Sequence, residues 1–231
     1  MKDWLQTVFY WLNVCTWVRL IIWLVIQRDV EGAKNIPRRG PLVLASNHLN
    51  LADPPILTAV MPRRVVWMAK RELFDIPVAG FLYRMFGCIP VRRFEADLRA
   101  LRKSQEALRR GHVLGMFPEG TRSGGRGLQR GEPGTALVAM RTGAPVLPVA
   151  IWGTEGVKLP SHFFRRTPVH VAFGETFYLP RGDRLSKKQV EEGTEQIMRR
   201  IAALLPPEYR GAYADVPSAE AAAPTARKRD S

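Results

Sequence analysis

The chain has 231 residues, 46% apolar and 24% charged, enough for one folded domain with short appendages and a poor match to collagen-like, disulfide-scaffold or wholly disordered proteins. Lysine and arginine number 35 against 21 acidic residues, and the net charge of +14 asks for an anionic partner: nucleic acid, a phosphorylated metabolite or an anionic membrane. The two cysteines, Cys15 and Cys88, stand in unlike settings, which argues against a disulfide framework and suits a reducing compartment.

From Trp4 to Ile26 the sequence is almost wholly apolar, about long enough for a helix to cross a hydrocarbon core. Lys2, Gln6, Asn13, Thr16 and Gln27 share one helical stripe, and Arg19 interrupts the later part. That pattern suits a helix lying in the membrane interface or packed on protein, and a spanning helix stays open beside it. Trp4, Trp11, Trp17 and Trp23 favour the headgroup level. The run passes into Gln27-Arg28-Asp29 without a small-residue cleavage site, which argues against a removed signal peptide. Residues 1–29 are therefore predicted to be a membrane-anchoring helix, either continuous or broken between Asn13 and Arg19.

A polar connector over 30–40 ends in Pro37-Arg38-Arg39-Gly40-Pro41, after which the first strand of a domain covering 30–210 is expected. Short runs rich in β-branched residues follow at 42–46, 65–69, 88–91, 112–117, 145–152 and 168–173 and predict strands. Residues 95–110 predict a helix with Leu98, Leu101 and Leu108 on its apolar side and arginines around the rest. A second helix opens at Ser186, with Gln189 at capping-box spacing, and carries Val190, Ile197, Ile201 and Leu204 or Leu205 as its stripe. Strands alternating with helices give an α/β sheet covered by helices, whose functional groups belong in strand-to-helix loops. Residues 211–231 are small, polar and Pro-containing and are expected to be a disordered tail.

Chemistry concentrates in four stretches. After the 42–46 strand come Asn47, His48 and then Asp53-Pro54-Pro55, where Asp53 reads as a helix N-cap with proline at the first helical position. In a strand-loop-helix turn Asp53 can reach one imidazole nitrogen of His48, leaving the other as an acceptor suited to general-base work. Taken alone, the same residues also describe an exposed histidine beside a plain capping aspartate. The second stretch, Phe117-Pro118-Glu119-Gly120-Thr121-Arg122, is a tight turn at a strand end in which Arg122 suits a phosphate and Glu119 could orient that arginine or a substrate hydroxyl. A surface turn with an ordinary ion pair fits it equally. The third, Gly87 to Arg93, brings Arg92 and Arg93 to a loop, and the fourth, Ala144 to Ala150, reads as a core strand with a bent end.

In this order and spacing the four stretches resemble the lysophosphatidate acyltransferase family of glycerolipid acyltransferases: His48 and Asp53 form its HX4D box, 117–122 its FPEGTR box, 87–93 its second box and Val146-Leu147-Pro148-Val149 its fourth. Arg92 stands where an Asp is common, which leaves two arginines as candidates for the phosphate. The resemblance implies a mixed sheet flanked by helices and seated on a membrane. It implies an acyltransferase that moves an acyl chain from acyl-CoA or an acyl-carrier-protein thioester to the free hydroxyl of 1-acylglycerol 3-phosphate, giving phosphatidic acid. His48 would take the hydroxyl proton and Asp53 would orient it. Arg93 and Arg122, with Glu119, Gly120 and Thr121 of the same turn, would form the acceptor site, and Arg130 could add to it. No metal or organic cofactor is implied, and His48, His112, His162 and His170 show no ligand spacing. There is no G-x-S-x-G elbow, and Cys88 in a strand reads as inert core rather than as a nucleophile.

The boxes report acyl transfer more than acceptor identity, so another lyso-lipid or glycerol 3-phosphate remains an alternative acceptor. A non-catalytic membrane lipid-binding protein is the rival from another class. Nucleic acid is not an expected partner, because no aromatic and basic recognition motif accompanies the charge. The expected location is the cytoplasmic face of the cell membrane, with the arginines of the 95–110 helix facing anionic lipid.

Overall fold

The computed structural model describes residues 2–92, 97–157 and 166–218. Arg93 and His162 therefore lie outside the described residues, as does the tail from residue 219. The apolar N-terminal run forms helix α1 (Lys2–Asn13), a π-helical turn (Val14–Val18) and helix α2 (Arg19–Val25). The next residues are not a connector. Strand β1 (Ile26–Glu31) leaves the helix directly and pairs in parallel with β7 (Thr167–Phe173), so the sheet begins some fifteen residues before the expected start near Pro41.

The remaining strands are β2 (Leu42–Ser46), β3 (Val65–Lys70), β4 (Ile89–Val91), β5 (Val113–Met116) and β6 (Val146–Trp152). They form one seven-stranded sheet in the order β1-β7-β6-β2-β5-β3-β4. Pairing is parallel throughout except between β6 and β7, which makes the sheet mixed. The two central strands β2 and β5 are buried on both faces, in keeping with their unbroken apolar sequences.

Two apolar layers flank the sheet. Helix α3 (Asp53–Val60) and α2 cover one face through Ile56, Leu57, Ile22 and Val25. Helices α5 (Leu98–Arg109), α6 (Gly134–Thr142) and α7 (Lys187–Leu204) cover the other through Ala100, Leu108, Met140, Ile197 and Ile201. Helix α5 thus packs on the face opposite α2. Its inner stripe differs from the expected one: Ala100, Ser104 and Leu108 are buried while Leu98 is 63% exposed. Asp97 caps α5 by accepting from the Arg99 and Ala100 amides, and Ser186 and Gln189 close a reciprocal capping box on α7.

The start of the predicted tail is ordered structure. Tyr213 and Val216 are buried in the α7 core, the Arg210 guanidinium donates to the carbonyls of Leu205 and Val216, and Asp215 pairs with Arg199 at 2.9 Å. Burial of two apolar side chains together with these polar bonds holds the segment.

Candidate active site

The loops that follow β2, β5 and β6 leave the same edge of the sheet, because these adjacent strands run parallel. Asn47 locks the first of them: its side-chain amide donates to the Ile151 carbonyl at 2.7 Å and its amide oxygen accepts from the Ile151 N–H at 2.8 Å. This extends the pairing of β2 and β6 by one side chain and aims the next residue, His48, over the sheet edge.

Asp53 is the first residue of α3 rather than its cap, and its side chain turns back into the loop. Oδ2 receives three donors, His48 Nδ1 at 2.7 Å and the amides of Leu49 and Asn50 at 2.7 and 2.8 Å. Oδ1 receives the Thr154 hydroxyl at 2.6 Å from the turn after β6. A fully buried carboxylate thus has each oxygen engaged, which offsets the cost of removing it from water. Nδ1 faces Asp53, so the imidazole is held in one orientation with Nε2 as its outer nitrogen, and Nε2 has no partner among the described residues.

The imidazole lies flat on Phe117, with ring centroids 4.0 Å apart and planes at 16°, and Phe117 lies on Trp67 at 5.0 Å and 10°. Trp67 is fixed in turn by donating its indole N–H to the Thr58 hydroxyl at 2.9 Å. Room for this stack comes from Gly115, where a Cβ would fall 2.4 Å from the Trp67 ring.

Glu119 does not pair with Arg122. It is buried, and its two oxygens accept the His48 amide at 2.7 Å and the Gln129 amide at 2.9 Å, tying the β5 loop to the His48 loop and to the segment before α6. Burial pushes its carboxyl up to about 7, the two amide donors pull the other way, and the nearby Asp53 charge adds to the rise. The Ser123 amide donates to the His48 carbonyl at 2.8 Å and closes the loop a second time. Gly120 turns the chain between them at φ +66°. This folding leaves Thr121 and Arg122 exposed beside the His48 loop, and the Arg122 guanidinium has no partner among the described residues. Cys88 immediately precedes β4 beside the Trp67 backbone, and burial pushes its thiol up to about 12, unsuited to a nucleophile.

An apolar cavity of about 470 Å³ starts at Phe117 and Gly120 and runs between Met68, Leu101, Leu137 and Val138. Arg92, Asp97 and Leu98 on its far wall are shared with a larger cleft of about 1120 Å³ along β4, which Arg71, Arg84, Arg99 and Lys103 make strongly basic.

Residues 27–152, more than half of the chain, match a protein-family model described as Acyltransferase. The chain belongs to the acyltransferase family. Among similar curated acyltransferases, 1-acyl-sn-glycerol-3-phosphate acyltransferase of Borreliella burgdorferi is 29% identical over 68% of this chain and 63% of its own length. The enzyme of the same name from Bacillus subtilis is 28% identical over 76% of this chain and 86% of its own. The lyso-ornithine lipid O-acyltransferase of Pseudomonas aeruginosa is 34% identical over 53% of this chain and 47% of its own. The chain thus spans less than two thirds of several relatives it matches. Among solved structures, the 1-acyl-sn-glycerophosphate acyltransferase PlsC of Thermotoga maritima shares the fold, with a TM-score of 0.62 and 24% identity over 85% of this chain and 94% of that one.

The acyltransferase match ends at Trp152, so Thr154 falls just beyond it. Neither Thr154 nor Asn47 was singled out from sequence. Each acts across long chain separations, and the one available cue was position, since both follow the carboxyl end of a core strand.

Proposed function

We propose that this acyltransferase-family protein transfers an acyl chain from an acyl thioester to the free hydroxyl of 1-acylglycerol 3-phosphate, giving phosphatidic acid. The observation that carries the reading is the His48 imidazole, fixed through Nδ1 by a four-times-bonded Asp53 and presenting Nε2 at the sheet edge. Nε2 takes the proton of the acceptor hydroxyl as its oxygen attacks the thioester carbonyl, and Asp53 stabilises the imidazolium that forms. The tetrahedral intermediate collapses by breaking the C–S bond, the departing thiolate takes the proton back from the His48 imidazolium, and the acyl group is transferred directly with no acyl-enzyme required. Arg122, exposed and unpartnered among the described residues, receives the acceptor phosphate together with Arg93. Glu119 serves this site indirectly by holding the turn that carries Arg122. The apolar cavity beginning at Phe117 suits an acyl chain, and the basic cleft beyond it suits an anionic donor, either acyl-CoA or an acyl carrier protein.

The protein acts at the cytoplasmic face of the cell membrane, on the same reading. Helix residues Trp4–Val25 are long and apolar enough to span, but they are bound lengthwise to the domain. Tyr10 accepts the Val65 amide at 3.1 Å, Arg64 reaches the Thr7 hydroxyl, and Arg19 donates to the Ala59 carbonyl. A helix so docked, with Trp4, Leu12, Trp17 and Trp23 outward, suits the plane of the interface. Similarity to the lyso-ornithine lipid enzyme supports a second reading with another lyso-lipid as acceptor.

The deciding experiment is an assay of the purified protein crossing acyl-CoA and acyl-carrier-protein donors with lysophosphatidate, glycerol 3-phosphate and other lyso-lipids. Preference for lysophosphatidate is expected. Preference for a different acceptor would replace the substrate assignment, and the absence of acyl transfer with every pair would overturn the enzymatic reading.

A further inference from the structure

Between β3 and β4 the chain makes a 3₁₀ turn (Arg71–Phe74) and helix α4 (Pro77–Met85). This crossover is unusual in what it leaves uncovered. Of the α4 residues only Gly80 is buried, and a Cβ there would meet the Phe74 carbonyl oxygen at 2.1 Å, so the helix is pressed onto the turn along that one line. Its outer side presents Ile76, Val78, Phe81 and Leu82 at 50, 74, 57 and 44% exposure. Val78, Phe81 and Leu82 stand at i, i+3 and i+4, a coherent apolar face rather than scattered side chains.

The carboxyl end of α4 packs against the N-terminal helix. Phe86, just past α4, meets Phe9 and Tyr10 of α1 edge-on at 5.7 and 5.8 Å, and Gln6 donates to the Arg84 carbonyl at 3.2 Å. Beyond that seam α1 exposes Trp4, Leu5, Val8 and Leu12. The rim of the combined surface is basic. Arg71 precedes α4 and Arg84 stands on its last turn, donating to the Phe74 carbonyl at 2.7 Å; both also line the basic cleft, and Arg166 lies over the Trp23 ring at 5.4 Å. Asp75 is the acidic residue at the start of α4, and Glu72 is paired with Lys70.

We propose that α4 is a second membrane-inserting element, whose Val78, Phe81 and Leu82 enter the same lipid leaflet as the outer face of the helix at 4–25. The occupant is lipid rather than a second copy because the apolar face carries an arginine border. Anionic headgroups match that border, whereas another copy would bring like charge to it. The consequence concerns the active site: the 3₁₀ turn leaves the carboxyl end of β3, the edge that bears His48, so inserting α4 brings that edge to the lipid surface. Leu51, within the His48–Asp53 loop, is 62% exposed and adds an apolar contact there. The inference rests on the N-terminal helix being interfacial, and the test separates the two.

Spin labels are placed on the full chain at Val78→Cys, at Leu12→Cys and, as a water-exposed reference, at Lys187→Cys on α7, in a Cys15→Ala, Cys88→Ala background. On vesicles of phosphatidylglycerol and phosphatidylcholine, labels at 78 and 12 should gain contact with lipid-dissolved oxygen and lose it with an aqueous nickel complex, while that at 187 should not change. A lipid-buried label at 12 with a label at 78 as water-accessible as that at 187 overturns the α4 proposal alone. Water access at both also overturns the interfacial helix. Coupling between labels at 78 on two molecules would assign the face to a second copy and overturn it too. As an independent measure, Val78→Glu with Phe81→Glu should weaken partitioning onto these vesicles about tenfold or more. Unchanged partitioning contradicts the proposal. His48→Ala should partition like the parent, so loss of activity is not confused with loss of docking.

Discussion

His48 and Arg122 sit on neighbouring loops of one sheet edge in opposite surroundings. The His48 loop is closed on itself by buried bonds from three other segments: Asn47 to β6, Asp53 to Thr154, and the His48 backbone to Glu119 and Ser123. Arg122 is exposed and engages none of the described residues. On the proposed mechanism, the difference separates what the protein preorganises from what it leaves for a ligand. A general base must be aligned before substrate arrives, and its alignment is worth the cost of burying a carboxylate. A cation meant for a soluble or headgroup phosphate gains more by staying hydrated until the anion replaces the water.

The comparison breaks hardest at His48. His48→Ala should lower kcat about 10²- to 10⁴-fold, the usual contribution of a positioned general base, and, because the buried imidazole is one of four donors to Asp53, it should also cost about 1–3 kcal/mol of stability. Substantial turnover in this variant, measured on purified protein, would remove the general-base role.

Next comes Glu119, whose carboxyl is pushed by burial from 4.5 up to about 7. Between those values the native state keeps a proton that the unfolded chain releases, so stability falls as pH rises through this window. The loss from this group is about 3 kcal/mol and is complete above about pH 7. Glu119→Gln cannot titrate, so the stability of the parent relative to the variant should decline by about that amount between pH 4 and 8 in denaturant titrations. Parallel curves for the two proteins would show that the carboxyl is not perturbed.

Arg122→Ala tests the open side. Loss of a charged hydrogen-bonding contact is worth about 1.5–3 kcal/mol, or roughly 10- to 100-fold in kcat/KM for phosphate-bearing acceptors, and stability should not change. Equal losses for phosphate-bearing and phosphate-free acceptors would contradict phosphate binding by this residue.

Legibility from sequence follows the same division. The strands 42–46, 65–70, 113–116 and 146–152 announce themselves because a strand buried on both faces must be apolar throughout. Strand β1 does not. Its sequence Ile-Gln-Arg-Asp-Val-Glu is mostly exposed at the sheet margin, where one neighbour supplies the pairing and no apolar run is needed. His48 and Asp53 were readable because their chemistry is local, five residues apart in one loop. The partners that fix them were not: Thr154 comes from 101 residues away, and the Gly115 requirement exists only because Trp67 of the adjacent strand lies over it. Glu119 shows the opposite error. Its proximity to Arg122 in sequence suggested an ion pair, while the turn at Gly120 sends one side chain inward and the other out.

The smallest expected effect probes how far the closed loop depends on its most distant bond. Thr154→Val keeps the shape of the side chain and removes the donor to Asp53 Oδ1, leaving a buried acceptor oxygen unmatched at a cost of about 1–3 kcal/mol. Because Oδ2 retains three donors, Asp53 should stay in place but hold His48 less firmly, and kcat should fall about tenfold with KM for the acceptor nearly unchanged. Thr154→Ser restores the hydroxyl and should recover most of the rate, which a simple packing role for the methyl group would not allow. If the valine variant matched the parent in kcat while the serine variant lost activity, Thr154 would be acting through packing, and the orientation of His48 would rest on the backbone amides of its own loop.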